Sequence, residues 1–436
     1  MTTLPPGPRL PMLVQTYVFG RYRHRWLPAL RRRYGDLFTV RIAPRQRRLV
    51  IVARPDLIRE IFAGPATRFH AGESNAVLEP LMGSHSLLLL DEDDHLAARR
   101  HLMPAFNGAA LRGYRDLVAE ITRERLAGWP TAVPLALHPR LQSVTLEVIM
   151  RVVFGVSDQA RLVELRPLVE RIVSVKPYIM LAGYYPRLRQ YGPWRRHLEI
   201  QERLDDRLYA EIADRRRCDD LDTRNDVLSR LLSTSDGAWT DEELRDQLVT
   251  LLLAGHETTA TALAWSFHEL ARDPDAQSAA RRAADSGDDT HLSAVAKETL
   301  RLRPVIFEVG RMLTEPTTIG GYDLPAGVSV MPAIGLVHAD RQQHPSPERF
   351  RPERFLGDDP PSSHTWLPFG GGARRCLGAG FSLMESEVIL REVLTRFEVR
   401  PEATRPEPAI SRNVTLAPAK GTRVVLRRRD ADMEAA

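Results

Sequence analysis

The segment Phe369-Gly370-Gly371-Gly372-Ala373-Arg374-Arg375-Cys376-Leu377-Gly378 combines one thiol, two guanidinium groups and four glycines. Such a loop lets a flat ligand come close to the backbone. Neighbouring positive charge and the N-terminus of a following helix both favour the thiolate, the form of cysteine that binds metal. Two plainer readings stand beside metal ligation. A lone cysteine is commonly a small buried hydrophobe. A glycine-rich phosphate loop is the other, but the Lys-Ser or Lys-Thr pair is missing and no strong strand leads in.

A second stretch with chemistry in it is Ala254-Gly255-His256-Glu257-Thr258-Thr259. It falls inside a long helical pattern, where glycine and paired threonines lower helix propensity. Small residues at 254 and 255 let the helix backbone lie close to a ligand. Hydroxyl and carboxylate at 257 and 258 offer a proton path into an apolar region. An ordinary helix with incidental threonines remains an equal reading of these six residues alone. A zinc-protease reading of His256-Glu257 fails, because Ala260 stands where the second histidine of His-Glu-x-x-His belongs.

The pattern Phe-x-x-Gly-x-Arg-x-Cys-x-Gly resembles the haem-binding loop of cytochromes P450, position for position. The resemblance implies that Cys376 ligates the iron of haem b (iron protoporphyrin IX), that Phe369 packs near the sulfur, and that Arg374 pairs with a haem propionate. Thiolate ligation in these enzymes favours O–O cleavage. The six-residue stretch resembles the family's oxygen-activating helix. Ala254 and Gly255 would then lie over the haem, Thr258 would hydrogen-bond dioxygen there, and Glu257 would feed protons.

Glu298 and Arg301 lie about one helical turn apart, a spacing shared by countless exposed helices. The same resemblance pairs them with Arg354 of the Pro352-Glu353-Arg354-Phe355 segment, as a buried triad that fixes the haem loop. His95 and Arg99, at i and i+4, can reach one anion from a single helix face. In isolation they read as a solvated face. In the family pattern they, with Arg311, Arg374 and the backbone around Gly378, hold the cofactor. Ile306 and Phe307 lie five and four residues before Arg311, roughly 13–17 Å back along an extended chain. They become candidates for the substrate wall, with ordinary β-region core as the alternative. Glu308 reads as an outward-facing carboxylate.

These residues have to be positioned by helices. Thr240 and Glu243 form a capping box before an apolar pattern that runs to about Leu270. That predicts one helix of roughly 30 residues, ~45 Å long. A further helix is expected from about His291 to Leu302, stopped before Pro304, and a last one from Gly378 to about Phe397. Leu37–Ile42 and Leu49–Val52 read as a β-hairpin around Ala43–Arg48, and short strands fill the stretch up to Pro332. With no internal repeat or linker, residues 1–436 read as a single mostly α domain with a small β region, the cytochrome P450 fold.

The 61 basic residues against 56 acidic ones include Lys176, Lys297 and Lys420 as the sole lysines, and the small positive surplus is spread along the chain. That distribution argues against a nucleic-acid binder. The arginine clusters at 21–33 and 45–48 read as solvated surface. Only Cys218 and Cys376 are present, too few for a disulfide framework, so a reducing cytoplasm is expected. No apolar stretch has signal or membrane-spanning length, so no membrane anchor is expected.

The resemblance implies a monooxygenase that inserts one atom of O2 into a small apolar organic substrate. Beyond Cys376 only Cys218 remains, so the chain has no iron–sulfur domain of its own. Electrons would come from separate partners, a ferredoxin and its reductase. Two rivals stand beside it. A peroxide-using or isomerising haem-thiolate enzyme would dispense with Thr258 and electron donors. A haem sensor or carrier needs ligation and no proton relay. Substrate recognition is expected between Phe69 and Leu90 and between Val173 and Trp194, where Tyr178, Tyr184, Tyr185 and Trp194 contribute either contacts or ordinary packing.

Overall fold

A computed structural model describes residues 4–44, 47–155, 159–173, 179, 185–234, 239–412 and 414–429. Arg45, Lys176, Tyr178 and Tyr184 therefore lie outside the described residues. The helices that build the site are, in chain order, α1 (Met12–Tyr34), α2 (Pro55–Ala63), α3 (Glu92–Leu102), α4 (Gly108–Leu126), α5 (Leu137–Phe154), α6 (Gly192–Arg216), α7 (Asp241–Arg272), α8 (Pro274–Ser286), α9 (Asp289–Leu302) and α10 (Ala379–Arg396). The strands are β1 (Leu37–Ile42), β2 (Arg47–Val52), β3 (Phe69–His70), β4 (Pro134–Ala136), β5 (Arg311–Leu313), β6 (Thr317–Ile319), β7 (Tyr322–Leu324), β8 (Ser329–Pro332), β9 (Phe397–Pro401), β10 (Ala409–Arg412), β11 (Thr415–Pro418) and β12 (Arg423–Arg428). No helix among the described residues is long and apolar enough to cross a membrane.

The expected hairpin forms, with Leu37 opposite Val52 and Ile42 opposite Arg47. β2 continues the sheet by pairing in parallel with β8, which pairs with β5, which pairs with β3. Leu49 to Val52 are all buried, because both faces of this sheet are covered. Alternation divides them. Leu49 and Ile51 join Leu27 and Leu30 of α1, while Val50 and Val52 join Leu57 and Ile58 of α2.

In α1 Arg21, Arg25, Arg32 and Arg33 are exposed as expected, and two arginines correct the surface reading. Arg23 is buried and pairs with Glu308 at 3.3 Å, and Arg31 reaches Asp36 at 2.6 Å and Asp340 at 2.5 Å. Glu308 is accordingly no outward-facing carboxylate. Burial pushes its acid up and Arg23 pulls it back down.

The largest core lies where α4, α5, α7 and α10 meet. α7 begins with the predicted capping box and runs 32 residues, ~48 Å at 1.5 Å per residue. Its middle is buried against α5. A Cβ at Gly255 would stand 2.9 Å from Ile149 Cδ1, so glycine at this position lets the two helices approach. Trp265 fixes the other end of α7, donating from Nε1 to Leu416 O of β11 at 2.9 Å.

Candidate active site

The cysteine loop is held in shape by its own backbone. Gly370 N donates to Leu367 O and Cys376 N to Phe369 O, each at 2.9 Å. Gly370 and Gly372 have φ of +67° and +65°, a left-handed conformation that costs glycine little. A Cβ at Gly372 would sit 1.9 Å from Phe62 O, so the loop backbone rests directly on α2. Trp366 and Phe369 stack edge to face at 5.9 Å, and Phe369 packs with Ala262, Leu300 and Val305.

Cys376 is accessible, yet burial is the main force pushing its thiol up. The two observations agree if its sulfur faces an internal space instead of the outer surface. The Gly378 amide, Arg99 and Arg375 pull the thiol back down. Ala254 is likewise accessible in the middle of α7, between buried Leu252 and His256. Thr259 Oγ1 donates to Ser382 Oγ at 3.2 Å. That bond joins α7 one residue past Thr258 to α10 six residues past Cys376, so helix and loop face the same interior region.

Three arginines and a histidine gather beside the loop. Arg374 donates to Leu87 O at 3.2 Å, to Leu90 O, and to Asp91 Oδ1. Arg311 is buried over the Phe62 ring at 5.5 Å and donates to Gly310 O. Burial, then Arg374, lowers Arg311 to about 10, with Asp91 opposing. Burial, then Arg374 and Arg99, lowers His95 to about 4. Arg374 and Arg99 are themselves pushed down, first by burial. Cations crowded in poorly solvated surroundings favour a further anion among them. The two carboxylates of a haem fit that demand, and an accessible cysteine beneath a helix N-terminus fits its iron.

The structure brings Glu298, Arg301 and Arg354 together. Arg301 donates to both oxygens of Glu298 at 2.8 Å, and Arg354 Nε lies 3.3 Å from Glu298 Oε2. Arg301 also donates to His338 O, and His338 Nε2 accepts from Leu367 N at 2.8 Å. Burial, then His344 and Arg301, holds His338 well below the ordinary histidine range, leaving that ring nitrogen free to accept. A continuous set of bonds thus runs from the triad to the residue two places before Phe369.

Two expected neighbours part company. Thr258 Oγ1 donates to Ala254 O at 2.7 Å, whereas Glu257 turns toward α5 and accepts from Gln142 and from Thr261 at 3.5 Å. Phe307 corrects its reading as a substrate wall. Its ring packs with Leu27, Phe38, Ala333 and Leu416 and against Gly335, in the core beneath α1. Ile306 makes an isolated antiparallel bridge to Thr415. Gln142, His138, Thr261 and Asp91 were missed. Of these only Thr261 carried a signal, its i+4 spacing from Glu257.

The family model described as cytochrome P450 matches residues 4–426. The chain belongs to the cytochrome P450 family. It is 47% identical over 429 residues to the Mycobacterium tuberculosis protein provisionally named cytochrome P450 135A1, covering 98% of this chain and 95% of that one. To the provisionally named cytochrome P450 135B1 of Mycobacterium bovis it is 46% identical over 433 residues, covering 97% and 91%. The solved structure of retinoic acid-bound cyanobacterial CYP120A1 superposes with a TM-score of 0.84 at 23% identity, covering 98% of this chain and all of that one. The expected fold is therefore the observed one. Cytochromes P450 are oxidoreductases, monooxygenases that bind haem b through a cysteine thiolate and take O2, an apolar substrate and electrons from redox partners.

Proposed function

We propose that Cys376 is the sulfur ligand of the haem and that His95, Arg99, Arg311 and Arg374 hold its propionates. The observation that carries this reading is the accessible cysteine in a rigid loop at the start of α10, tied through Ser382 and Thr259 to the turn of α7 that bears Thr258. The bound haem supplies activation of O2, with one oxygen atom passing to the substrate and the other leaving as water after two electrons and two protons arrive. The protein's task is to orient substrate, exclude water and deliver those protons.

Thr258 is the hydroxyl that acts at the distal side, and Glu257 is the source of its protons. An apolar substrate is supported by Leu253, next to Ala254, which packs with Leu78, Leu81, Met82, Leu88, Leu89 and Ile179. Electron donors are a ferredoxin and its reductase, docking near the exposed Arg100 and Arg375. Turnover with surrogate redox partners separates an enzyme from a haem sensor. Thr258→Ala should keep haem and substrate binding and divert electrons to hydrogen peroxide. Unchanged product per reducing equivalent would remove Thr258 from the mechanism.

A further inference from the structure

Glu257 sits at the inner end of a line of polar groups drawn from three separate elements. Gln142 Nε2 of α5 donates to its Oε2, and Thr261 Oγ1, one turn along α7, lies 3.5 Å from its Oε1. His138 Nε2 lies 3.1 Å from Thr261 Oγ1 and 3.7 Å from Glu257 Oε1. Arg412 Nη1 of β10 lies 3.5 Å from His138 Nδ1. His138 and Thr261 have no exposure at all, whereas Arg412 is exposed.

The chemistry of the donors sets a direction. A guanidinium only donates, so His138 Nδ1 accepts and its hydrogen sits on Nε2. Nε2–H then donates to Thr261 Oγ1, which leaves the hydroxyl hydrogen for Glu257. Each bond along the line points from the exposed arginine toward the carboxylate. Burial, with Arg412 and His256, holds His138 at about 4 and so neutral, with one N–H and one lone pair as a relay requires. Burial also pushes the Glu257 acid up, against Gln142, Arg412 and Thr261.

We propose that His138 and Thr261 form the line that reloads Glu257 with protons, that Gln142 is a positioning residue for the carboxylate, and that protons enter at the Arg412 edge of β10. This rests on the reading of Glu257 as proton source. After Glu257 gives its proton to the oxygen chemistry, the Thr261 hydroxyl proton moves to Glu257 Oε1. The His138 Nε2 proton replaces it on Thr261, and once the exposed Arg412 side chain moves off Nδ1, a hydronium at that edge protonates it. One proton enters as one leaves, and His138, left with its hydrogen on Nδ1, returns to the starting tautomer by losing that proton and taking one up at Nε2.

The test uses the haem-loaded protein with surrogate redox partners. Thr261→Val deletes the hydroxyl at nearly constant volume. His138→Gln keeps a donor toward Thr261 through an amide that cannot pass a proton on. Both should lower product-forming turnover on the order of 10-fold, a fraction of what general acid catalysis supplies, with a larger solvent deuterium isotope effect and unchanged substrate-binding spectra. Thr261→Ser should restore both. Independently of turnover, imidazole nitrogen NMR of the diamagnetic carbon monoxide form should show His138 neutral with hydrogen on Nε2 at pH 6. Glu257→Gln separates the two ideas. Wild-type behaviour of that variant overturns Glu257 as proton source. Loss there alongside wild-type turnover and isotope effect in Thr261→Val and His138→Gln, or hydrogen on Nδ1, overturns the relay.

Discussion

Replacing Glu298 by leucine removes the acceptor on which the triad is built. Glu298 has no exposure, and Arg301 only 1%, so water cannot take the place of the lost carboxylate. The substitution strands two guanidinium hydrogens of Arg301, the Arg351 amide that donates at 3.0 Å, and the Arg354 contact. Removing one partner of a buried ion pair costs about 3–5 kcal/mol, and leaving a buried amide unpaired adds roughly 1–3 kcal/mol. These overlap, so the expected loss is on the order of 4 kcal/mol, a large part of the ~5–15 kcal/mol typical of a folded protein. Glu298→Gln keeps one acceptor oxygen and should lose less. Arg301→Lys should approach the leucine variant, because an ammonium cannot make the forked bond. The assay is urea unfolding of the haem-loaded protein, followed by far-ultraviolet dichroism and haem absorbance together. A leucine variant within about 1 kcal/mol of wild type would show that the triad does not hold the fold.

Two further outcomes are expected. Glu385 is fully buried, and burial pushes its acid well above the ordinary 4.5, opposed by Thr259. The folded protein thus keeps a proton that the unfolded chain releases. Its stabilising contribution is full below 4.5 and is lost as pH rises toward the folded value, at up to ~1.4 kcal/mol per pH unit. Glu385→Gln should abolish that slope, and parallel curves for the two proteins between pH 5 and 8 would contradict it. Charge reversal at Arg100 or Arg375 should slow reduction by an acidic ferredoxin at low salt, with the difference shrinking as salt rises. If neither change alters the rate or its salt dependence, the docking face lies elsewhere.

The parts of the fold legible in the sequence are those specified by local pattern. The capping box at Thr240 and Glu243 marked the start of α7, and the runs Leu37–Ile42 and Leu49–Val52 around a polar turn marked the hairpin. α1 escaped because its buried face is sparse and includes Gln15 and Arg23 beside Leu27 and Leu30, so no apolar stripe announces it. Glu308 escaped for the same reason from the other side, since its partner lies 285 residues earlier in the chain. Within the site, the loop was readable because its residues are contiguous, whereas the triad, whose Arg354 lies 56 residues from Glu298, was legible only through the family resemblance. The surroundings of Glu257 were not, because His138, Gln142 and Arg412 approach it only through packing of α5 and β10 on α7. Phe307 shows the limit of chain-distance reasoning: an extended stretch of the right length fixes reach, but the face on which a ring lands depends on the sheet beside it.

The most direct measurement is the absorbance of the reduced, haem-loaded protein with carbon monoxide. Ligation by Cys376 predicts the strongly red-shifted band of a thiolate haem, lost in Cys376→His and retained in Thr258→Ala. A wild-type band like that of a histidine-ligated haem, or an unchanged band in Cys376→His, would contradict it.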